Sequence, residues 1–151
     1  MGAYVGRDVL VEFSIAPESA VRAGLTYQTL GMMRGKELKA SWDTVDTTGD
    51  KSAGATRSAL ATFKNVEFSG DCVSYDNAVH NQLTLEAHFI NANLNTATQK
   101  QPKVWLRITY PNKVYEGPFI LTECSNSNGY DAESTLSIAA KSNGDVTLTP
   151  P

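Results

Sequence analysis

Hydrophobic and polar residues alternate with a period of two along much of this chain, the pattern of half-buried β-strands. Between residues 7 and 15, Val9, Val11, Phe13 and Ile15 share one face, with Leu10, Glu12 and Ser14 on the other. Pro17 ends this strand, a turn or short helix follows over 18–24, and a less regular strand is expected over 26–32. Alternation returns over 36–46, where Leu38, Ala40 and Trp42 oppose Glu37, Lys39, Ser41 and Asp43. From Arg57 to Cys72 the apolar residues change face near Lys64 and Asn65, since Leu60 shares parity with Val66 and Phe68 whereas Phe63 does not. A β-bulge accounts for such a change.

The period then switches. Tyr75, Asp76 and Asn77 look like a helix start, and Val79, Leu83, Ala87, Ile90 and Leu94 follow at helical spacing, predicting one amphipathic helix over about residues 77–92. The Asn-rich stretch 91–101 stops it. Val104 to Tyr110 and Tyr115 to Cys124 read as strands joined by a turn at Pro111, Asn112 and Lys113. Thr135 to Ala140 and Val146 to Thr149, separated by Asn143-Gly144, carry a hairpin signature. The expected fold is mainly β: a sandwich or barrel of about eight strands with one packed helix. At 151 residues the chain is expected to form a single domain, 1–151.

Between two of these strands lies a long polar loop over about 47–58, containing Thr47, Thr48, Gly49, Asp50, Lys51, Ser52, Gly54, Thr56 and Arg57. Ordinary hairpin turns take about two to five residues. A stretch this long with no large apolar residue to anchor it is expected either to be disordered or to belong to a partner.

Composition narrows the function. Hydrophobic residues at 41% and charged residues at 19% mark a globular chain, and the many Ser, Thr and Asn suit exposed strand faces. A net charge of −3 argues against a basic nucleic-acid footprint. From Val114 onward Glu116, Glu123, Asp131, Glu133 and Asp145 face a single base, Lys141, so that surface repels polyanions. The N-terminal residues lack the pattern of a signal peptide and no run reaches transmembrane length, so synthesis in the cytoplasm and no membrane partner are expected.

Candidate chemistry is sparse. The sequence has no phosphate-binding glycine loop, nucleophile elbow or Cys-x-x-Cys pair, and no cofactor, metal or catalytic activity is expected. Cys72 and Cys124 are expected as reduced structural thiols on strands. His80 and His88, eight apart, do not share the helix face that i, i+4 spacing gives metal ligands, and read as ordinary polar positions. Glu116, Glu123 and Glu133 read as solvated strand charges rather than an acid/base pair. Trp42 and Trp105 read as core or subunit interface ahead of a ligand platform.

Taken in order, several segments resemble the major tail tube proteins of long-tailed bacteriophages. They are Gly6 to Val11, Glu37 to Thr48, the Arg57-Ser58 strand start, the single helix, Glu116 to Thr122, and Gly129 to Glu133 followed by Ser142 to Val146. The chain departs from the pattern in a longer Ala16 to Gly31 stretch and an expanded Asn93 to Lys103 connection. The resemblance implies a non-enzymatic virion protein, assembled in the host bacterial cytoplasm, whose hexameric rings stack into a hollow tail tube. DNA would pass through without specific binding. Partners would be further copies of the chain and other tail proteins: tape measure, terminator, and baseplate or tail tip. On this reading the polar loop contacts the next ring or subunit, Tyr4, Val5 and Arg7 form an N-terminal arm contact, and Glu116, Glu123 and Glu133 are possible lumen-facing acids. The alternative is a monomeric β-sandwich surface or carbohydrate-binding module using Trp42 or Trp105.

Overall fold

The computed structural model describes residues 3, 5–31, 33–47, 57, 59–74 and 80–151. Its strands are β1 (Leu10–Ser14), β2 (Gln28–Thr29), β3 (Met33–Asp46), β4 (Ala59–Val73), β5 (Lys103–Tyr110), β6 (Lys113–Ser127), β7 (Thr135–Ser142) and β8 (Thr147–Thr149), with one helix, α1 (Gln82–Ile90). All eight strands join one antiparallel sheet in the order β2-β1-β5-β6-β7-β4-β3, with β8 also on β6. The mainly β expectation holds.

The sheet curls on itself. Val11 and Phe13 of β1, Leu106 and Ile108 of β5, Phe119 of β6, Ile138 of β7 and Phe68 of β4 all enter one buried cluster. At the seam, Lys36 on β3 donates hydrogen bonds to the backbone carbonyls of Gly6 (2.9 Å) and Val9 (2.6 Å), just before β1. Burial holds the Lys36 ammonium below its ordinary pKa.

The long strand β6 organises the sheet. Its first half pairs with β5 on one edge and, through Val114 to Glu116, with β8 on the other; its second half pairs with β7. β7 and β8 therefore run in line along the same edge of β6. This corrects the hairpin expected over residues 135–149. The turn-like Asn143-Gly144 instead marks a kink between two pieces of one interrupted strand, with Gly144 at φ +152°. Packing enforces the kink, since a Cβ at Gly117 would meet the Val146 Cα at 2.6 Å.

Two further expectations change. The strand over 26–32 shortens to Gln28–Thr29, because the chain before it crosses the outside of the sheet and joins β1 for two residue pairs only. The described helix is Gln82–Ile90 rather than 77–92; residues 75–79, with the expected helix start, lie outside the described residues. Beyond Ile90 the backbone tightens into short 3-10 turns, Ala92–Leu94 and Thr96–Thr98.

The helix also turns a different face inward. Gln82, Leu85 and His88 are buried, whereas Leu83 (75%), Ile90 (63%) and Leu94 (75%) are exposed. Polar tethers select this orientation. Gln82 Nε2 donates to the carbonyls of Val73 (2.8 Å) and Gly31 (3.3 Å), and His88 Nε2 to that of Lys103 (2.9 Å). His88 is thus a buried structural group, not an ordinary polar position.

Burial lowers the His88 pKa, outweighing the opposing effect of its backbone hydrogen bond. The unfolded chain then takes up this proton before the fold does, so stability is lost as pH falls below about 6.5. Melting temperature is expected to drop between pH 7.5 and pH 5.5, and a His88→Gln variant, which keeps an amide donor, should show a flatter profile. Equal slopes would place the pH dependence elsewhere.

Candidate assembly interface

Strand β4 outruns its neighbour. Only Glu67 to Val73 pair with β7, so Ala59 to Val66 continue with β3 as a two-stranded arm, about 27 Å long at ~3.4 Å per residue. The register slips between Trp42/Lys64 and Thr44/Ala61, placing the bulge on β4 at Thr62 and Phe63, beside the parity change in the sequence. Asp43 braces it, accepting from Thr62 Oγ1 through its carbonyl (3.1 Å) and from Asn65 Nδ2 through its carboxylate (3.2 Å). Lys64 ties the arm to Asp145 (2.9 Å) and the Val146 carbonyl (3.2 Å). The Lys64 ammonium holds the exposed Asp145 carboxyl below its usual range.

The arm exposes what a core would hide: Trp42 at 58%, Val45 at 52%, Leu60 at 61% and Phe63 at 71%. An isolated two-stranded ribbon is marginal in water. Exposed apolar side chains along one mark a surface for association. Of the expected contact loop, Thr47 and Arg57 are described at the end of the arm, both exposed, with Arg57 3.6 Å from Asp46. Thr48, Gly49, Asp50, Lys51, Ser52, Gly54 and Thr56 lie outside the described residues.

Below the arm, β3, β4, β7 and the second half of β6 present a broad polar face. Cross-strand register places Lys39, Glu67 and Lys141 in one row, Glu37, Ser69, Ala139 and Glu123 in the next, then Gly35, Asp71, Ser137 and Ser125. Four acids thus share the face with two lysines. Among the described residues, β3 has no strand partner but β4, and β6 from Glu123 to Ser127 none but β7. The four strands alternate in direction, so these two free edges run oppositely.

The three expected lumen acids separate. Glu123 lies on the polar face. Glu133, beyond β6, pairs with Arg34. Glu116 departs from the solvated reading: it accepts a 2.6 Å hydrogen bond from the Tyr27 hydroxyl and lies 3.4 Å from Arg22 Nε. Arg107 stacks on the Tyr27 ring at 4.2 Å and reaches Glu12 at 2.9 Å. Burial, then the Glu116 carboxylate, push the Tyr27 phenol far above its ordinary pKa. The long Ala16 to Gly31 stretch is therefore a strap over the outside of β1, β5 and β6, invisible in sequence because its anchors are polar contacts distant along the chain.

The remaining candidates fall apart as a binding site. Trp105 is buried and donates its indole N–H to the Pro17 carbonyl at 2.8 Å, whereas Trp42 lies out on the arm, so the two line no common cleft. Cys72 and Cys124 are free, and burial pushes both thiols up to about 11. Among the described residues no three His, Cys, Asp or Glu side chains are grouped to hold a metal ion. Near the N-terminus Val5 and Arg7 are exposed, Val5 just before and Arg7 within a 3-10 turn, Gly6–Asp8; Tyr4 lies outside the described residues.

Several solved structures share this architecture. The tail of an empty gene transfer agent particle, refined with C6 symmetry, superposes with a TM-score of 0.71 at 19% identity, covering 97% of this chain and 99% of that one. The SPP1 tail tube gives 0.67 at 13% identity, covering 99% and 80%. The sheath–tube complex of an extracellular contractile injection system gives 0.62 at 8%, covering 99% and 93%. A comparison with curated protein sequences finds no match. The family model described as phage tail tube protein matches residues 3–148, nearly the whole sequence, and the chain belongs to that family.

Proposed function

We propose that this protein is the subunit of hexameric rings that stack into a tail tube, with the polar face of β3, β4, β7 and β6 lining the channel for DNA. The observation that carries this reading is the pair of opposite-running free edges bounding that face. β3 of one subunit can continue the sheet antiparallel to β6 of the next, a head-to-tail contact that closes when the rotation permits. The C6 symmetry of the related gene transfer agent tail supports six copies. Four strands from each of six subunits make a barrel of ~24 strands; at ~4.8 Å spacing and ~40° tilt its backbone diameter is ~48 Å. Side chains of ~5 Å on each wall leave ~38 Å, wide enough for a duplex ~20 Å across.

Charge fits the channel role. Glu37, Glu67, Asp71 and Glu123 outnumber Lys39 and Lys141, so the wall repels phosphate instead of holding it. On this reading Glu123, alone of the three acids expected in sequence, faces the lumen, since it lies on the polar face. The polar loop and the Val5 and Arg7 region supply contacts between subunits, and tape measure, terminator and tip proteins meet the tube at its bore and ends.

Tubes bearing Glu37→Lys and Glu123→Lys test the wall directly. They should still assemble, since both residues sit on an exposed face, and should retain a labelled DNA duplex at low salt that wild-type tubes release. Raising salt toward 0.5 M should free it, as screening weakens phosphate contacts. Variant tubes that retain no more duplex than wild type would place this face outside the channel.

A further inference from the structure

The sequence holds two Asn-Gly pairs, Asn128-Gly129 and Asn143-Gly144, and the fold treats them oppositely. In such a pair a side-chain amide lies beside a main-chain nitrogen that no Cβ shields. The second pair is held fast. Asn143 donates its backbone N–H to the Pro118 carbonyl (2.9 Å) and its Nδ2 to the Glu18 carboxylate (3.4 Å). Gly144, at φ +152°, lies so close to the Pro118 ring that a Cβ there would meet Pro118 Cγ at 2.6 Å. Neither the amide nor the nitrogen after it can turn without unpacking the kink between β7 and β8.

The first pair is free. β6 ends at Ser127, and Asn128, Gly129 and Tyr130 that follow are exposed. Among the described residues no hydrogen bond holds the Asn128 side chain or the Gly129 N–H. The tethers that follow are a 3.4 Å bond from the Ala132 N–H to the Gly129 carbonyl and the surface ion pair of Glu133 with Arg34. Exposed pairs of that kind restrain a loop little.

We infer that Asn128 is a site of spontaneous deamidation in the folded protein and that Asn143 is protected from it. Asn is among the thermolabile side chains. The Gly129 main-chain nitrogen attacks Asn128 Cγ, the Cγ–Nδ2 bond breaks, and ammonia leaves with the proton that the nitrogen gave up. The product is a five-membered succinimide joining the two residues. Water then opens this ring at either carbonyl. Cleavage at Cγ leaves aspartate at position 128, whereas cleavage at the main-chain carbonyl leaves isoaspartate, with the chain routed through Cβ and Cγ. The net change is amide and water to carboxylic acid and ammonia, with nothing oxidised or reduced.

Both products set a new carboxylate one residue past the free edge of β6, and isoaspartate adds a carbon to the main chain there. The consequence for assembly rests on the ring reading, in which β3 of the next copy approaches that edge. Subunits left unassembled then lose competence with age, and tubes select the unaltered chain.

Peptide mass spectrometry of the full chain tests this. Trypsin separates the two pairs, placing Asn128 in the peptide 114–141 and Asn143 in 142–151. Folded protein held at pH 8 and 37 °C should gain ~1 Da at Asn128, with the isoaspartate form resolved by chromatography, at least tenfold faster than at Asn143. In concentrated urea the two rates should converge, because the fold alone separates them. Asn128→Gln, which would have to close a six-membered ring, should keep the melting temperature and lose the reaction. Equal rates in the folded protein, faster reaction at Asn143, rates that stay tenfold apart in urea, or no reaction at Asn128 while the unfolded chain reacts would overturn the site. Tubes sedimented from an aged preparation should carry at least fivefold less isoaspartate at position 128 than the unassembled fraction, and equal content would overturn the assembly consequence. Fresh protein that later reacts at Asn128 but never forms rings would instead overturn the ring reading.

Discussion

Of the two single substitutions Ser125→Pro and Asn126→Pro, one is expected to leave a folded subunit that forms no rings, and the other to lower the melting temperature. Successive N–H groups along a strand point to opposite edges, and β6 over these residues has β7 on one edge and no strand on the other among the described residues. Proline on the free side removes a donor that the isolated subunit does not use, a placement tolerated in edge strands. The same substitution on the paired side breaks a β6–β7 ladder bond, at a cost of ~1–3 kcal/mol for the partner left unmade. In a ring, loss of a hydrogen bond and insertion of a bulky ring recur at every subunit boundary, so assembly should fail at concentrations at least tenfold above the wild-type threshold. Light scattering follows assembly and thermal melting follows the fold. Two variants that assemble normally would exclude this edge from the subunit contact.

Phe68→Ala is expected to produce the largest loss of stability. Phe68 is 1% exposed on β4, in the central cluster, and pairs with Leu38 on β3 and Ala140 on β7. Removing a buried Phe ring typically costs ~3–5 kcal/mol, the lost transfer energy plus the cavity left behind. Against a total stability of about 5–15 kcal/mol this is a large fraction. For a chain of this size ~4 kcal/mol corresponds to a fall in melting temperature of roughly 8–16 °C. Val66 at the base of the arm belongs to this cluster, but Trp42, Val45, Leu60 and Phe63 farther out and the outward face of α1 are exposed, so substitutions at those exposed positions should leave the melting temperature nearly unchanged. A Phe68→Ala subunit as stable as wild type would contradict the single-cluster account of the fold.

The strands were legible where one face is buried and the other wet. β1 and β5 alternate because Val11, Phe13, Leu106 and Ile108 enter the core, and the bulge of β4 at Thr62 and Phe63 lies next to the change of parity read near Lys64 and Asn65. Legibility failed where burial is decided by contacts distant in sequence. His88 read as an ordinary polar position, yet the backbone carbonyl of Lys103 draws it inside, as those of Gly31 and Val73 do Gln82. Glu116 was invisible as a half-buried partner for the same reason, its contacts with Tyr27 and Arg22 being distant along the chain. The Asn143-Gly144 signal was local and correct as a kink, but whether β7 and β8 pair with each other or with β6 depends on the length of β6. The apolar stripe of α1 is a different case: periodicity reports that a face will be covered without saying by which molecule.

The central claim is that the polar face of β3, β4, β7 and β6 lines a channel closed by edge pairing between copies. Helical reconstruction of tubes grown from the purified protein tests it most directly. The account predicts sixfold rings, β3 of each subunit antiparallel to β6 of its neighbour, and Glu37, Glu67 and Glu123 facing a bore of roughly 38 Å. Tubes whose bore is lined instead by the Tyr27, Arg107 and Glu116 side of the sheet, or rings whose subunits meet without β3 and β6, would contradict it.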